Sequence, residues 1–231
     1  MKIIVPLAGP DFVTKDGLTK AEINYFGEDL LHLILKRRPW FRIALSSDYI
    51  FILQDKTETR KLAAEKIKTW FPECKVIFLS DITGGAAYSA VASAAYLTDS
   101  NEKIIIDLAD IDYELDSSIV AEIKGLGEVD AIALTFSSIN PVYSYLLFDQ
   151  RGEFIESKEK QVISSVASAG TYIFGSHFSF LKAFEHSLRN QSMYLHNGLM
   201  YLCPLFNGVK ANAGTVKKID VSSVVDFKVG E

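Results

Sequence analysis

Acidic side chains directly past an apolar run are the first groups in this chain that could do chemistry. Ile104-Ile105-Ile106-Asp107-Leu108-Ala109-Asp110-Ile111-Asp112 crowds three aspartates into one short stretch. Such carboxylates suit a hard divalent cation, which takes oxygen ligands and keeps waters that a phosphate can replace. Asp110 and Asp112 are two apart and share a face if the chain stays extended. Held close, they repel unless a cation or a partner lies between them. The same residues also read as a helix cap or a solvated turn. A second candidate is the loop after the first apolar run, Ala8-Gly9-Pro10-Asp11-Phe12-Val13-Thr14-Lys15-Asp16-Gly17, followed by Leu18-Thr19-Lys20. A loop there can turn backbone N–H groups toward a phosphate or a base. It carries neither the Walker pattern nor the dinucleotide fingerprint, and Pro10 offers no N–H. Thr83-Gly84-Gly85-Ala86 is a third candidate, because paired glycines let a flat ligand approach the backbone at a helix start. The fourth, Glu156-Ser157-Lys158-Glu159-Lys160, also reads as a charged strand end. His32, His177, His186 and His196 show no ligand or triad spacing.

Positioning these groups requires a sheet. Lys2 to Leu7, Ile50 to Leu53, Lys75 to Leu79, Lys103 to Leu108 and Ala131 to Phe136 are short, Val/Ile-rich and bounded by turn residues or charges, the signature of buried strands. Between them, Leu30, Leu31, Ile34 and Leu35 form one helical stripe and Leu62, Ala63, Ile67 and Trp70 another, while Ala86 to Leu97 is a small-residue helix. Strand and helix in alternation predict a mostly parallel sheet covered on both faces. The second half changes: Tyr143 to Asp149, Gly152 to Ser157 and Ala169 to Phe174 read as antiparallel strands, and Phe178 to Leu188 as an amphipathic helix. The change falls near Asn140-Pro141 with no Gly/Ser linker. The expectation is one α/β domain over 1–231, Rossmann-like, with a mixed central sheet and a C-terminal antiparallel portion.

Composition narrows the partners. The chain has 231 residues, 24 Lys+Arg against 29 Asp+Glu, and 48% hydrophobic residues, which is globular in character. With a net charge of −5 and no basic cluster beyond Lys36-Arg37-Arg38, binding along nucleic acid is not expected. Cys74 and Cys203 sit in apolar stretches as small hydrophobes and imply no disulfide. The apolar run at the start is too short for a signal segment, and no stretch has the length to cross a bilayer, so a cytoplasmic protein without a membrane partner is expected. Nothing in the sequence fixes an oligomeric state; a homo-oligomer is compatible with it.

In order and spacing, these segments together resemble the sugar-1-phosphate nucleotidylyltransferases, the group related to glucose-1-phosphate thymidylyltransferase. Ile3 to Gly9 is similar to that family's first strand ending in Ala-Gly, and Leu18-Thr19-Lys20 falls where the family has the Lys of its Pro-Lys-Pro motif. The glycine pair resembles its nucleobase segment, Ala169-Gly170-Thr171-Tyr172-Ile173-Phe174 its Gly-x-Tyr strand, and Tyr201-Leu202-Cys203-Pro204-Leu205-Phe206-Asn207 its Tyr-Ile-Ala-Pro-x-Tyr-Asn. Ile219-Asp220 to Asp226-Phe227 aligns without a gap on Leu-Asp-Thr-Gly-Thr-Pro-Glu-Asp-Leu. The resemblance implies a nucleotide-diphospho-sugar transferase fold, with 1–140 as the nucleotide-binding half and 141–231 as the sugar-binding half. It implies Lys20, Asp110 and Asp220 as catalytic residues; Ala8, Gly9, Gln54, Gly84 and Gly85 as nucleotide contacts; and Glu159, Lys160 and Gly170 as sugar contacts. Asp110 and Asp220, with Asp112, would hold Mg²⁺ or Mn²⁺. The expected substrates are a nucleoside triphosphate and a sugar phosphate.

One departure bears on activity. The family's loop reads Gly-x-Gly-Thr/Ser-Arg, whereas Gly9 here is followed by Pro10-Asp11-Phe12-Val13. A carboxylate replaces a guanidinium near the expected phosphates, and Lys15 is a point charge without a guanidinium's fork. Two further readings keep the same fold. Asp110-Ile111-Asp112 also fits the Asp-x-Asp metal motif of glycosyltransferases that use a sugar nucleotide, and the altered loop fits a nucleotide- or sugar-binding homologue without catalysis.

Overall fold

A computed structural model describes residues 1–81, 83–120, 123 and 129–227. Eleven strands organise it: β1 (Lys2–Leu7), β2 (Tyr49–Gln54), β3 (Lys75–Leu79), β4 (Ile104–Asp107), β5 (Ile111–Glu114), β6 (Ala131–Ser137), β7 (Tyr145–Phe148), β8 (Phe154–Lys158), β9 (Val166–Phe174), β10 (Val216–Asp220) and β11 (Ser222–Asp226). Nine of them form the central sheet, in the order β8-β7-β9-β4-β1-β2-β3 with β6 against β9 and β10 against β6. β1 pairs in parallel with β2 and β4, and β2 in parallel with β3. β9 runs antiparallel to β4, β6 and β7, whereas β6 and β10 are parallel. β5 and β11 make a separate antiparallel ribbon.

The unbroken apolar runs follow from two-sided burial. Along β1 and β2, Ile3, Val5, Leu7, Tyr49, Phe51 and Leu53 enter one core, and Ile4, Ala8, Ile50 and Ile52 enter the other. Successive strand side chains point to opposite faces, so a strand with helices on both sides has no solvent face for polar residues. The first core is closed by α1 (Leu30–Arg37) and α2 (Thr57–Leu62), the latter continuing through a π segment, Ala63–Ile67. The second is closed by α3 (Ala86–Val91), α4 (His177–Arg189) and α5 (Leu205–Ala211). Ser176 caps α4 by accepting from the Ser179 amide at 2.9 Å.

The predicted strands fall within two or three residues of those observed. Their most consequential omissions are β5, β10 and β11. The stretch after Asp110 is extended, and the chain end crosses back over it as β11, with Val225 opposite Asp112 and Asp226 opposite Ile111. Among the described residues no helix is long and apolar enough to cross a membrane.

Candidate functional site

The carboxyl ends of β1 and β4 lie side by side, the place where open α/β sheets bind ligands. The turn after β4 is built from below. Asp107, the last residue of β4, is 1% exposed and forms an ion pair at 2.7 Å with Arg38, also 1% exposed. Its other oxygen accepts from the Ala109 amide at 3.0 Å and from the Thr171 hydroxyl at 3.2 Å. Arg38 also donates to the Ile111 carbonyl at 2.8 Å, and its guanidinium lies 3.7 Å from the centre of the Tyr113 ring. The Tyr113 hydroxyl closes the circuit on Thr171 at 2.7 Å. Burial opposes the Arg38 charge, but Asp107, together with Tyr113 and Asp112, outweighs it and raises the pKa. This network sets a sharp turn in which Ala109 adopts a left-handed φ of 51°. Asp110 is delivered at its end.

Gly170 makes room for that aspartate. It sits at φ +77°, where the register of β9 shifts between Ser168 and Tyr172, and a Cβ there would come within 2.9 Å of Asp110 Oδ1. The Gly170 carbonyl accepts from the Leu108 amide at 3.0 Å. The residue expected to touch a sugar therefore spends its missing side chain on Asp110.

The closing segment approaches from the other side. The Phe227 amide donates to the Asp110 carbonyl at 2.9 Å, and Asp226 Oδ2 accepts from the Tyr143 hydroxyl at 2.6 Å. Burial raises the Tyr143 pKa, and the bond to Asp226 and the charges of Asp226 and Asp110 raise it further. Asp220 is engaged elsewhere: on β10 it accepts from Lys218 at 2.7 Å and from Thr135 at 2.7 Å. Asp112 is buried in an ion pair with Arg37. Among the described residues no set of three or more His, Cys, Asp or Glu could hold a metal.

At the end of β1, Ala8 is buried and Gly9 is exposed. Gln54 is buried at the end of β2, its carbonyl bonded by the Lys56 amide at 3.0 Å and the Thr59 hydroxyl at 2.5 Å. Lys20 is ion-paired with Asp11. Phe12 lies in the core with Leu7, Ala21 and Leu31 rather than standing in the loop mouth. The glycine pair packs against Met200: the Gly84 carbonyl accepts from the Met200 amide at 2.7 Å, and a Cβ on Gly85 would stand 2.3 Å from the Met200 carbonyl oxygen. Gly85 admits a neighbouring backbone, whereas a Cβ on Gly84 would meet the Tyr88 ring at 3.1 Å.

Past β8, Glu159 accepts a hydrogen bond from Ser144, and Lys160 follows with a left-handed φ of 50°. A cleft of about 120 Å³ opens beside Glu159, lined also by Gln161, Met193, Tyr194 and His196. Burial raises the Tyr172 pKa, and Cys203, Glu159 and Asp110 add to the rise. A larger cleft of about 300 Å³, between Phe154 and Lys210, shares none of the candidate residues.

No family model matches the sequence, and no curated protein does. Solved structures do. A nucleoside-diphosphate-sugar pyrophosphorylase from Vibrio cholerae RC9 superposes with a TM-score of 0.79 at 18% identity, covering 98% of this chain and 95% of the other. An inositol-1-phosphate CTP transferase from T. maritima gives 0.69 at 12%, covering 97% and 86%. A UDP-glucose pyrophosphorylase complexed with UDP-glucose gives 0.68 at 13%, covering 98% and 92%. This is the nucleotide-diphospho-sugar transferase fold. At such identities the likeness speaks for the backbone, and the side chains of the transferase-fold site rest on the geometry above. That geometry brings forward Arg38, Asp107, Tyr143 and Asp226, none of which the sequence reading had assigned. Asp107, a charged residue ending an all-isoleucine strand, was the available signal for a buried partner.

Proposed function

We propose that the chain is a nucleotidyltransferase that joins a nucleoside triphosphate to a sugar-1-phosphate or a similar phosphate. An acceptor phosphate oxygen attacks the α-phosphorus, and pyrophosphate leaves. An acceptor phosphate is already an anionic nucleophile, so the protein's part is positioning and charge stabilisation rather than proton abstraction. The observation that carries the reading is Asp110, set on a buried Arg38–Asp107 foundation, fitted against Gly170 and tied to the chain end by Phe227. Asp110 and Asp226 offer hard oxygen donors, and two carboxylates suit Mg²⁺ or Mn²⁺, which completes its shell with water and phosphate. They would hold the ion, which offsets negative charge at the phosphates. Asp226 takes the role the sequence suggested for Asp220. Lys20 faces the phosphates, the ends of β1 and β2 with Ala8, Gly9 and Gln54 face the nucleoside, and Glu159 and Lys160 face the acceptor. Residues 1–140 thus serve the nucleotide and 141–231 the acceptor, in a cytoplasmic reaction.

Pyrophosphate release from a panel of nucleoside triphosphates and sugar-1-phosphates with Mg²⁺ tests the reading. Wild-type chain should turn over at least one pair, and Asp110→Asn should lower the rate by two or more orders of magnitude, in keeping with loss of a preorganised charge contact. Turnover unchanged in Asp110→Asn would remove that aspartate from the mechanism. Stabilisation by sugar nucleotides alone, without pyrophosphate release, would favour the glycosyltransferase reading.

A further inference from the structure

The loop after β1 carries its own anion. Asp11 Oδ1 lies 3.2 Å from the point where a Cβ on Gly9 would stand, and Oδ2 is ion-paired to Lys20 Nζ. The carboxylate therefore spans the end of the first strand and the one lysine assigned to the phosphates. Its backbone is pinned on both sides. The Phe12 amide donates to the Gly9 carbonyl at 3.2 Å, the Lys20 amide donates to the Phe12 carbonyl at 2.8 Å, and the Phe12 ring is anchored in the core. Pro10 fixes φ one residue earlier. The Asp11 side chain is 74% exposed, and that of Lys20 is 23% exposed. The anion stands on the water side of the pair, where a ligand arrives.

We infer that Asp11 is a specificity-determining residue that competes with the incoming phosphate chain for Lys20. This rests on the nucleotidyltransferase reading of the same loop. For Lys20 to reach a phosphate, Asp11 must release it, and the displaced carboxylate then repels the polyphosphate. An exposed ion pair opens at little cost, so the contact tunes affinity and does not block the site. The repulsion falls as the ligand's net charge falls. Asp11 thus biases the loop toward metal-bound or less highly charged phosphates and against free triphosphate.

Calorimetric titration of the full chain with tripolyphosphate at low ionic strength, with and without Mg²⁺, tests this. The variants are Asp11→Asn, Lys20→Met and the double substitution. Asp11→Asn should tighten tripolyphosphate binding about three- to tenfold, the scale of one exposed pair plus relieved repulsion. That gain should shrink in the Lys20→Met background to the part that relieved repulsion alone supplies, and be larger without Mg²⁺ than with it. An equal gain in both backgrounds would reduce Asp11 to a general surface charge and overturn the proposal. So would no gain, a loss, or no binding by Asp11→Asn. The enzyme reading is judged apart from this. Turnover by wild-type chain with no Asp11 effect leaves the transferase and removes the competition. A Lys20-dependent gain with no turnover in any variant does the reverse.

Discussion

Asp107–Arg38 and Asp11–Lys20 are both carboxylate–cation pairs at the carboxyl ends of neighbouring strands, yet their surroundings are opposite. Asp107 and Arg38 are sealed, and beyond Arg38 the carboxylate is held by Ala109 of the turn and Thr171 of the adjacent strand. Asp11 faces water and holds one lysine. A sealed charge left without its partner keeps its desolvation penalty, whereas an exposed one is rescued by water. One pair therefore acts as architecture for the site, and the other responds to ligands.

Breaking the sealed pair should give the largest effect. Asp107→Asn or Arg38→Met should each lower stability by roughly 3 to 5 kcal/mol in urea denaturation, because each strands a buried partner. Replacing both, as Asp107→Leu with Arg38→Met, should recover a substantial part of that loss while still impairing turnover, since the turn that delivers Asp110 loses its Ala109 and Thr171 anchors. If the single substitutions cost under about 1 kcal/mol, the range of exposed pairs, the contrast between the two regions collapses.

The sheet was legible in the sequence because two-sided burial writes itself locally, as unbroken Ile and Val runs such as Ile104-Ile105-Ile106. Asp110, after that run, was legible for the same reason, as charge where the apolar run stops. What the sequence hides is which distant backbone arrives. Gly85 and Gly170 read equally well as ligand glycines, but one admits Met200 and the other Asp110, across long stretches of chain. Asp220 and Asp226 likewise lie in one short apolar stretch. Only the pairing of β11 with β5 brings the second toward Asp110, while the pairing of β10 with β6 places the first beside Thr135.

Gly170→Ala probes the middle of the range. The left-handed φ costs a Cβ-bearing residue about 1 to 2 kcal/mol, and the added carbon meets Asp110 Oδ1 at 2.9 Å. Stability should fall by about that amount in urea denaturation. Metal-dependent turnover should fall by a larger factor than stability alone explains, because Asp110 must move. A variant that loses stability but keeps full turnover would show that Asp110 tolerates displacement, and so does not act through a fixed position.

The smallest expected effect belongs to Asp220, and it is informative for that reason. Burial pushes its carboxyl up, but the bonds from Lys218 and Thr135 prevail and hold the pKa below the usual value. A carboxyl depressed in the folded state adds stability above its unfolded pKa, near 4, and loses it as pH falls through the folded one. Because the side chain is 64% exposed, water screens most of that gain. Asp220→Asn should therefore cost under about 0.5 kcal/mol at neutral pH, with the difference from wild type fading as acid protonates the native carboxyl. Mn²⁺ binding, followed by electron paramagnetic resonance, should stay unchanged in Asp220→Asn and weaken strongly in Asp226→Asn. The opposite pattern would return the second metal position to Asp220 and would require its carboxylate to leave Lys218 and Thr135 when the ion binds.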